Sequence, residues 1–141
     1  RELYERSTLA RMHLVGRALA RMVLDCDGEL AYISIPWSDF EETGAVSSDT
    51  EDLVNECLKI TGTRGAFIAI ELQNRQVKVS FRSRAEELDV SKICEHFGGG
   101  GHRQDAGTTM PGPLADSIEK ARTAMANALA NIRKAATAPS P

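Results

Sequence analysis

The sequence predicts an α/β domain in which helices pack on a mixed β-sheet of about five strands. Segments with apolar residues at three- or four-residue spacing alternate with short runs rich in β-branched and aromatic residues. Short turn sequences join two pairs of these runs, which is typical of β-hairpins. Strands that alternate with helices favour a sheet covered by helices, because each element must bury one apolar face.

Composition bounds the class of protein. The 141 residues are 42% hydrophobic and 26% charged, which indicates one globular domain and excludes collagen-like and disordered chains. No apolar run approaches the roughly 20 residues of a membrane-spanning helix, and no signal peptide is recognisable, so we expect a cytoplasmic protein without membrane contact. The net charge of -3 argues against a broad surface for duplex nucleic acid, but it allows a small anionic ligand.

Two further features concern the chain start and the cysteines. The chain begins at Arg1 and not at methionine, so we expect a fragment or a processed product.

Cys26, Cys57 and Cys94 are odd in number and far apart, and they form no Cys-x-x-Cys pair. They are predicted to be small buried apolar residues.

A helix and a hairpin are predicted for the first 35 residues. Ser7 can cap a helix whose apolar stripe extends to about Ala20. The runs 22–24 and 30–35 then flank Asp27-Gly28, a pair that readily adopts the positive φ angles of a tight turn.

Two helices and two strands follow. A short helix over 37–42 is stopped at Gly44, and a second helix, capped by Ser48 or Asp49, ends before Gly62. The run 66–70 is nearly all apolar, as in a central strand. Apolar and polar residues alternate along the next strand, over 77–82, and this alternation places three polar side chains on one face. These are Lys78, Ser80 and Arg82.

The last third predicts a helix from Asp89 to Phe97, a short strand over 107–110 and a long alanine-rich helix from Leu114 to Lys134. Residues 135–141 are predicted to be a disordered tail.

Four consecutive glycines lead directly into His102. Gly98 can end the preceding helix in the left-handed conformation. Gly99, Gly100 and Gly101 each add a backbone entropy cost of roughly 0.5 to 1 kcal/mol relative to alanine. A run of such residues is typical of a backbone that a ligand approaches closely, with N–H groups available to an anion. His102 can donate a hydrogen bond to the same anion. A flexible connector with an exposed histidine is the alternative interpretation.

Arg82 and Ser83 form the second candidate site. An arginine at a strand end can present its guanidinium fork to a phosphate, and the serine can add a hydroxyl. A solvated strand face is the alternative. His13 and His96 have no ligand spacing to a second His, Cys or carboxylate, so we expect no metal site in this chain.

The segment from Asp89 to Gly107 resembles the GGGHxxAxG signature of the DHHA1 domain, the C-terminal substrate-binding domain of DHH-family phosphoesterases. Residues 49–55 and 78–83 are similar to the branch that combines oligoribonuclease and 3'-phosphoadenosine-5'-phosphate phosphatase activities, the nanoRNase type. The resemblance extends over roughly residues 3–130, so residues 1–134 are interpreted as one DHHA1 substrate-binding domain.

The resemblance implies a division of labour. The glycines would lie against the substrate, His102 would point at its phosphate, and Arg82 with Ser83 would contact the same anion. Catalysis would belong to an N-terminal DHH domain in which aspartates and histidines hold two metal ions, usually manganese. This sequence has no Asp-His-His triplet, so we expect neither catalytic residues nor a cofactor in it. The expected partners are short RNA or a nucleotide, the DHH domain of the same protein, and in one alternative a second copy in a homodimer.

Two alternatives remain open. The domain can be a nucleic-acid-binding or oligomerisation module without hydrolysis, as in synthetase-type DHHA1 domains, and an alanine-rich face on the last helix favours close helix packing. That face carries Ala121, Ala124, Met125 and Ala128. The domain can also be part of a cyclic dinucleotide phosphodiesterase.

One residue departs from the family pattern. Asp105 stands where the family more often has alanine, and a carboxylate there would repel a phosphate unless it is turned away or paired with Arg103.

Overall fold

A six-stranded sheet with helices on both faces organises residues 8–139, the part of the chain that this computed structural model describes. The strands are β1 (Val23–Asp25), β2 (Leu30–Ile35), β3 (Gly65–Glu71), β4 (Val77–Ser83), β5 (Gly100–His102) and β6 (Asp105–Met110). Their order is β1-β2-β3-β4-β6-β5; β2 and β3 are parallel and the other pairs are antiparallel. The predicted mixed sheet is confirmed, and the strand missed from sequence is β5, inside the glycine run.

Residues 8–139 contain four α-helices, which pack on this sheet. They are α1 (Leu9–Ala20), α2 (Trp37–Thr43), α3 (Val90–His96) and α4 (Leu114–Thr137). Two predicted boundaries are confirmed, because the Asp89 carboxylate accepts from the Ser91 N–H at the start of α3 and Gly44 ends α2 with a φ of 77°. Thr8 caps α1 by accepting from the Arg11 N–H, whereas the predicted cap, Ser7, lies outside the described residues.

The predicted helix after Ser48 or Asp49 is wrong in type. Two 3₁₀ segments, Ser47–Thr50 and Leu53–Lys59, replace it. Asp52 between them has a φ of 61°, which breaks an α-helix. The Asp49 carboxylate accepts a hydrogen bond from the Val46 N–H, and the Thr50 hydroxyl donates one to the Ser47 carbonyl. These side chains therefore satisfy backbone groups locally, in competition with α-helical hydrogen bonds.

The C-terminal helix is longer than predicted. It continues to Thr137, three residues past Lys134, and residues 140–141 of the predicted tail lie outside the described residues. The Thr137 hydroxyl donates to the Arg133 carbonyl in the last turn. Among residues 8–139, no helix is both long and apolar enough to cross a membrane.

The sheet has two differently covered faces. On one side, which we call the α4 face, α3 and α4 cover side chains from β2, β3, β4 and β6. On the other, the α1 face, α1, α2 and the second 3₁₀ segment cover only β2 and β3. Within residues 8–139, no residue of β4, β5 or β6 belongs to the core on the α1 face. One half of that face is therefore left polar and accessible.

Two of the three cysteines belong to these cores. Cys94 of α3 and Cys57 of the second 3₁₀ segment are buried, and burial raises the pKa of each thiol to about 11. Both thiols therefore stay protonated at neutral pH, as expected of buried apolar residues. Cys26 is only half-buried.

A buried carboxylate ties α1 to α2. The Asp39 side chain is only 4% exposed and lies 3.2 Å from the Arg17 guanidinium and 2.8 Å from that of Arg21. A buried charge without such partners is strongly destabilising.

We expect Asp39→Ala to lower the free energy of unfolding by about 1 to 3 kcal/mol, because two guanidinium groups lose their buried counter-ion. Glu42→Ala is the matched control. It removes the exposed partner of Arg17, so its effect should stay below about 1 kcal/mol in the same urea titration. Equal losses in both variants would contradict a special role for the buried carboxylate.

Candidate functional site

The strand register places two of the predicted phosphate-binding residues in one row across the sheet. Arg82 of β4 lies opposite Asp105 of β6, and Asp105 in turn lies opposite His102 of β5. Residues directly opposite one another on paired strands share a face. The row Arg82, Asp105, His102 therefore crosses the uncovered half of the α1 face, over roughly 10 Å or two strand spacings.

The next row is almost free of side chains. Ser80 lies opposite Gly107, and Gly107 lies opposite Gly100. A Cβ atom added to Gly100 would meet nothing within 4 Å, so the space above this strand is open. We call this surface the open face. Its residues are Lys78, Ser80, Arg82, Gly100, His102, Asp105 and Gly107.

The glycine run is not a loop. Gly98 ends α3 with a φ of 85°, as predicted, and Gly100 begins β5. A Cβ atom on Gly101 would lie 2.6 Å from the Cα atom of Ala106, and one on Gly99 would lie 2.6 Å from the Cβ atom of Thr108. The close approach of β6 thus requires two of the glycines, and Gly100 alone of the three predicted ligand contacts has open space above it.

Arg82 is paired within the protein. Its Nη1 atom lies 2.7 Å from Oδ1 of Asp105 and donates to the Phe81 carbonyl at 3.1 Å. The sequence offered pairing with Arg103 as one way to neutralise Asp105, and the structure pairs Asp105 with Arg82 instead. Arg103 instead bonds to the Asp89 carboxylate and to a backbone carbonyl of the loop before α3. Arg82, the cation predicted to contact the phosphate, therefore already has an anionic partner.

Ser83 lies away from Arg82. It is the next residue of β4, so its side chain points to the α4 face, where it is buried. Its hydroxyl donates to the Ala85 carbonyl at 2.8 Å and accepts from the Ala85 N–H at 3.1 Å. This placement corrects the prediction that Ser83 and Arg82 share one anion.

A cavity of about 450 Å³ adjoins the open face. Polar residues of β4, apolar residues of β3 and hydroxyls of the first 3₁₀ segment line it. They include Lys78, Ser80, Arg82, Ile68, Ile70 and Ser47. Within residues 8–139, Lys78 has no carboxylate at ion-pair distance, although Glu51 and Asp52 also line the cavity. Sequence reasoning did not select Lys78 or Ser80 as ligands, although strand alternation had placed both on the face of Arg82.

A larger groove of about 990 Å³ lies between α3 and α4. It contains none of the predicted site residues. Ion pairs occupy three of its four cations: Arg64 pairs with Glu87, Arg103 with Asp89 and Arg133 with Glu29. The open face, which contains the predicted residues Arg82, Gly100 and His102, is therefore the candidate site.

The chemistry of the open face is binding and orientation. A guanidinium, an ammonium, an imidazole and hydroxyls can hold an anion, and exposed backbone lies beside them. No group of three or more His, Cys, Asp or Glu residues close enough to hold a metal ion occurs among residues 8–139.

Comparison of the sequence with known families identifies the domain. The DHHA1 domain family matches residues 28–131, from the turn before β2 into α4. The chain belongs to the DHHA1 family. The match includes β4, β5 and β6, and thus the whole open face of this DHHA1 domain.

Three individual relatives align with only part of their own length. The A-adding tRNA nucleotidyltransferase of Aquifex aeolicus (strain VF5) is 32% identical over 72 residues, which are 51% of this chain and 9% of that protein. An exopolyphosphatase-related protein from Bacteroides fragilis superposes with a TM-score of 0.79 at 23% identity, over 87% of this chain and 36% of that one. The pGpG-specific phosphodiesterase PggH from Vibrio cholerae superposes with a TM-score of 0.59 at 14% identity, over 84% of this chain and 39% of that one. At these identities the two structures show a shared fold, and the DHHA1 domain spans well under half of each relative.

We expect Gly101→Ala to destabilise the domain by about 1 to 3 kcal/mol, because its φ of 147° is strained for alanine and the new methyl group would overlap Ala106. Gly100→Ala, one residue earlier, should be neutral or slightly stabilising, since nothing occupies the added space. Thermal unfolding of both variants measures the difference. Similar melting temperatures would show that the glycines do not set the approach of β6.

Proposed function

We propose that this DHHA1 domain is the substrate-binding part of a DHH-family phosphoesterase. In this proposal, the open face holds the phosphate at the nucleotide end of a short oligoribonucleotide or of a 3',5'-bisphosphonucleoside. The observation that carries the proposal is the strand register, which sets Arg82 and His102 in one row beside a second row in which Ser80 alone has a side chain.

The cations of β4 supply the attraction. Lys78 and Arg82 lie four residues apart on one strand, which is roughly 13 Å. Two cations at that spacing suit a ligand with more than one phosphate group, such as a bisphosphonucleoside or a dinucleotide. His102, at the edge of the row, can donate a further hydrogen bond to a phosphate oxygen.

The glycines and the cavity supply the space. A ligand can lie directly against the backbone of Gly100 and Gly107, where no side chain separates it from the sheet. The adjoining cavity of about 450 Å³ is within the size range of small-molecule sites, and Ile68 and Ile70 give it apolar surface for a base. A nucleotide thus finds both a polar and an apolar contact area.

Hydrolysis would take place outside this domain. The described residues do not fit a metal centre, since they contain no suitable ligand cluster. In this proposal a DHH domain carries two manganese ions, and these would activate water and neutralise the leaving oxygen. The residues of the open face would hold the substrate in line with that centre and exclude other orientations.

A nucleic-acid-binding or oligomerisation module is the second candidate. The relative from Aquifex aeolicus is named for adding A to tRNA, which favours a role with RNA and without hydrolysis. Two residues of the alanine-rich face of α4, Ala121 and Met125, are fully buried within the domain and are not accessible to a second copy, whereas Ala124 and Ala128 are half-buried. The phosphodiesterase from Vibrio cholerae is named for pGpG, which suits a dinucleotide-sized ligand.

In a phosphoesterase that carries this domain, Arg82→Ala and His102→Ala should each reduce kcat/KM by about 2 to 4 kcal/mol of transition-state stabilisation, the usual loss for one well-placed donor. Lys92→Ala is the control, because Lys92 is an exposed cation of α3 beside the larger groove. Turnover of a dinucleotide and of 3'-phosphoadenosine-5'-phosphate measures the effect. If both variants keep full activity, the open face does not bind the substrate.

This chain by itself should bind weakly and hydrolyse nothing. Without the metals that neutralise the phosphate, we expect millimolar or weaker affinity, roughly -4 kcal/mol or less favourable. The assay incubates the purified chain with manganese and either substrate, and it measures released mononucleotide or phosphate. Metal-dependent turnover that Arg82→Ala abolishes would reveal a catalytic centre within this domain and contradict the proposed division of labour.

A further inference from the structure

We infer that the Asp105 carboxylate competes with a bound phosphate for Arg82: it forms an ion pair with the guanidinium until a phosphate displaces it. The inference rests on the proposed function, since it concerns the same site. The observation behind it is the central position of Asp105, directly opposite both Arg82 and His102.

The ion pair uses the group that a phosphate needs. The Nη1 atom of Arg82 lies 2.7 Å from Oδ1 of Asp105 in an ion pair, and it donates a hydrogen bond to the Phe81 carbonyl. A phosphate at this site requires the same guanidinium charge. Binding therefore exchanges one anion for another, and the gain is smaller than at an arginine without an ionic partner.

The exposure of the Arg82 and Asp105 side chains determines whether a phosphate can displace the carboxylate. The Arg82 side chain is 18% exposed and that of Asp105 is 62% exposed. The attraction between the guanidinium and a bound anion is therefore only partly screened, whereas a displaced carboxylate turns into water. A terminal phosphate carries about -1.5 to -2 charges at neutral pH and has three acceptor oxygens, so it can displace a carboxylate.

Among residues 8–139, Arg82 is the cation that pairs with Asp105, and no second one lies at ion-pair distance. Arg103 follows His102 directly, but the Asp89 carboxylate and the Glu86 carbonyl bond to its guanidinium. The carboxylate thus stays at Arg82 and lowers the affinity of the open face for phosphate.

The test is Asp105→Asn, which keeps the shape of the side chain and removes its charge. The probe is 3'-phosphoadenosine-5'-phosphate, titrated into the isotope-labelled chain and followed by NMR. We expect the Kd to fall about tenfold, or ~1.4 kcal/mol. Asp89→Asn is the matched control, because it removes a carboxylate paired with the neighbouring Arg103 and keeps a good helix cap; its Kd should equal that of the wild type.

A double-mutant cycle separates competition from general repulsion. In an Arg82→Ala background, Asp105→Asn should give no gain, because the contested group is missing. An equal gain in that background, an equal gain from Asp89→Asn, or no gain in the wild-type background would each overturn the competition. If Arg82→Ala still weakens binding in those cases, the proposed function stands. If neither Arg82→Ala nor Asp105→Asn changes binding, both the inference and the proposed function fail.

Discussion

The antiparallel pairing of β4 with β6 is the constraint on which the core and the open face both depend. Val79 and Phe81 point to the α4 face, where they are fully buried, while the intervening residues of β4 point to the other face. Side chains alternate strictly along a strand, so a register shift of one residue would bury Arg82 and expose Phe81. The hydrophobic effect on one face thereby fixes the position of every polar group on the other.

The end of α3 holds β6 in this register. The Thr108 hydroxyl donates to the Phe97 carbonyl at 3.1 Å, and the Gly99 N–H donates to the Cys94 carbonyl at 2.7 Å. These bonds bring the glycine run against β6 more closely than any side chain would permit. Gly99 and Gly101 thus serve packing, whereas Gly100 leaves the backbone of β5 accessible on the open face.

The uneven helix cover explains why the site lies where it does. Helices α3 and α4 cover four strands on one face, whereas α1 and α2 cover only β2 and β3 on the other. The polar side chains of β4 border the uncovered part, and a second domain or a ligand can reach them there. On this surface Asp105 neutralises Arg82, whereas Lys78 at the other end of β4 has no such partner among residues 8–139.

Elements with strong local signals are predictable from the amino-acid sequence. The cap at Asp89, the stop at Gly44 and the alternation along β4 depend on backbone and side-chain preferences within a few residues, and the structure has all three. The sequence also indicated the DHHA1 family through its glycine–histidine motif. Local signals failed after Ser48, where side-chain bonds to the backbone replaced an α-helix with 3₁₀ turns.

Contacts between residues of different strands depend on the tertiary structure. Ser83 is adjacent to Arg82 in sequence but lies on the opposite face, and Asp105 is distant in sequence but binds the Arg82 guanidinium. Register between strands arises from the whole apolar pattern and from the close approach of β6, so no short segment contains it. For the same physical reason, the sequence could name Arg82 and His102 as candidates, but only the folded sheet placed a carboxylate between them.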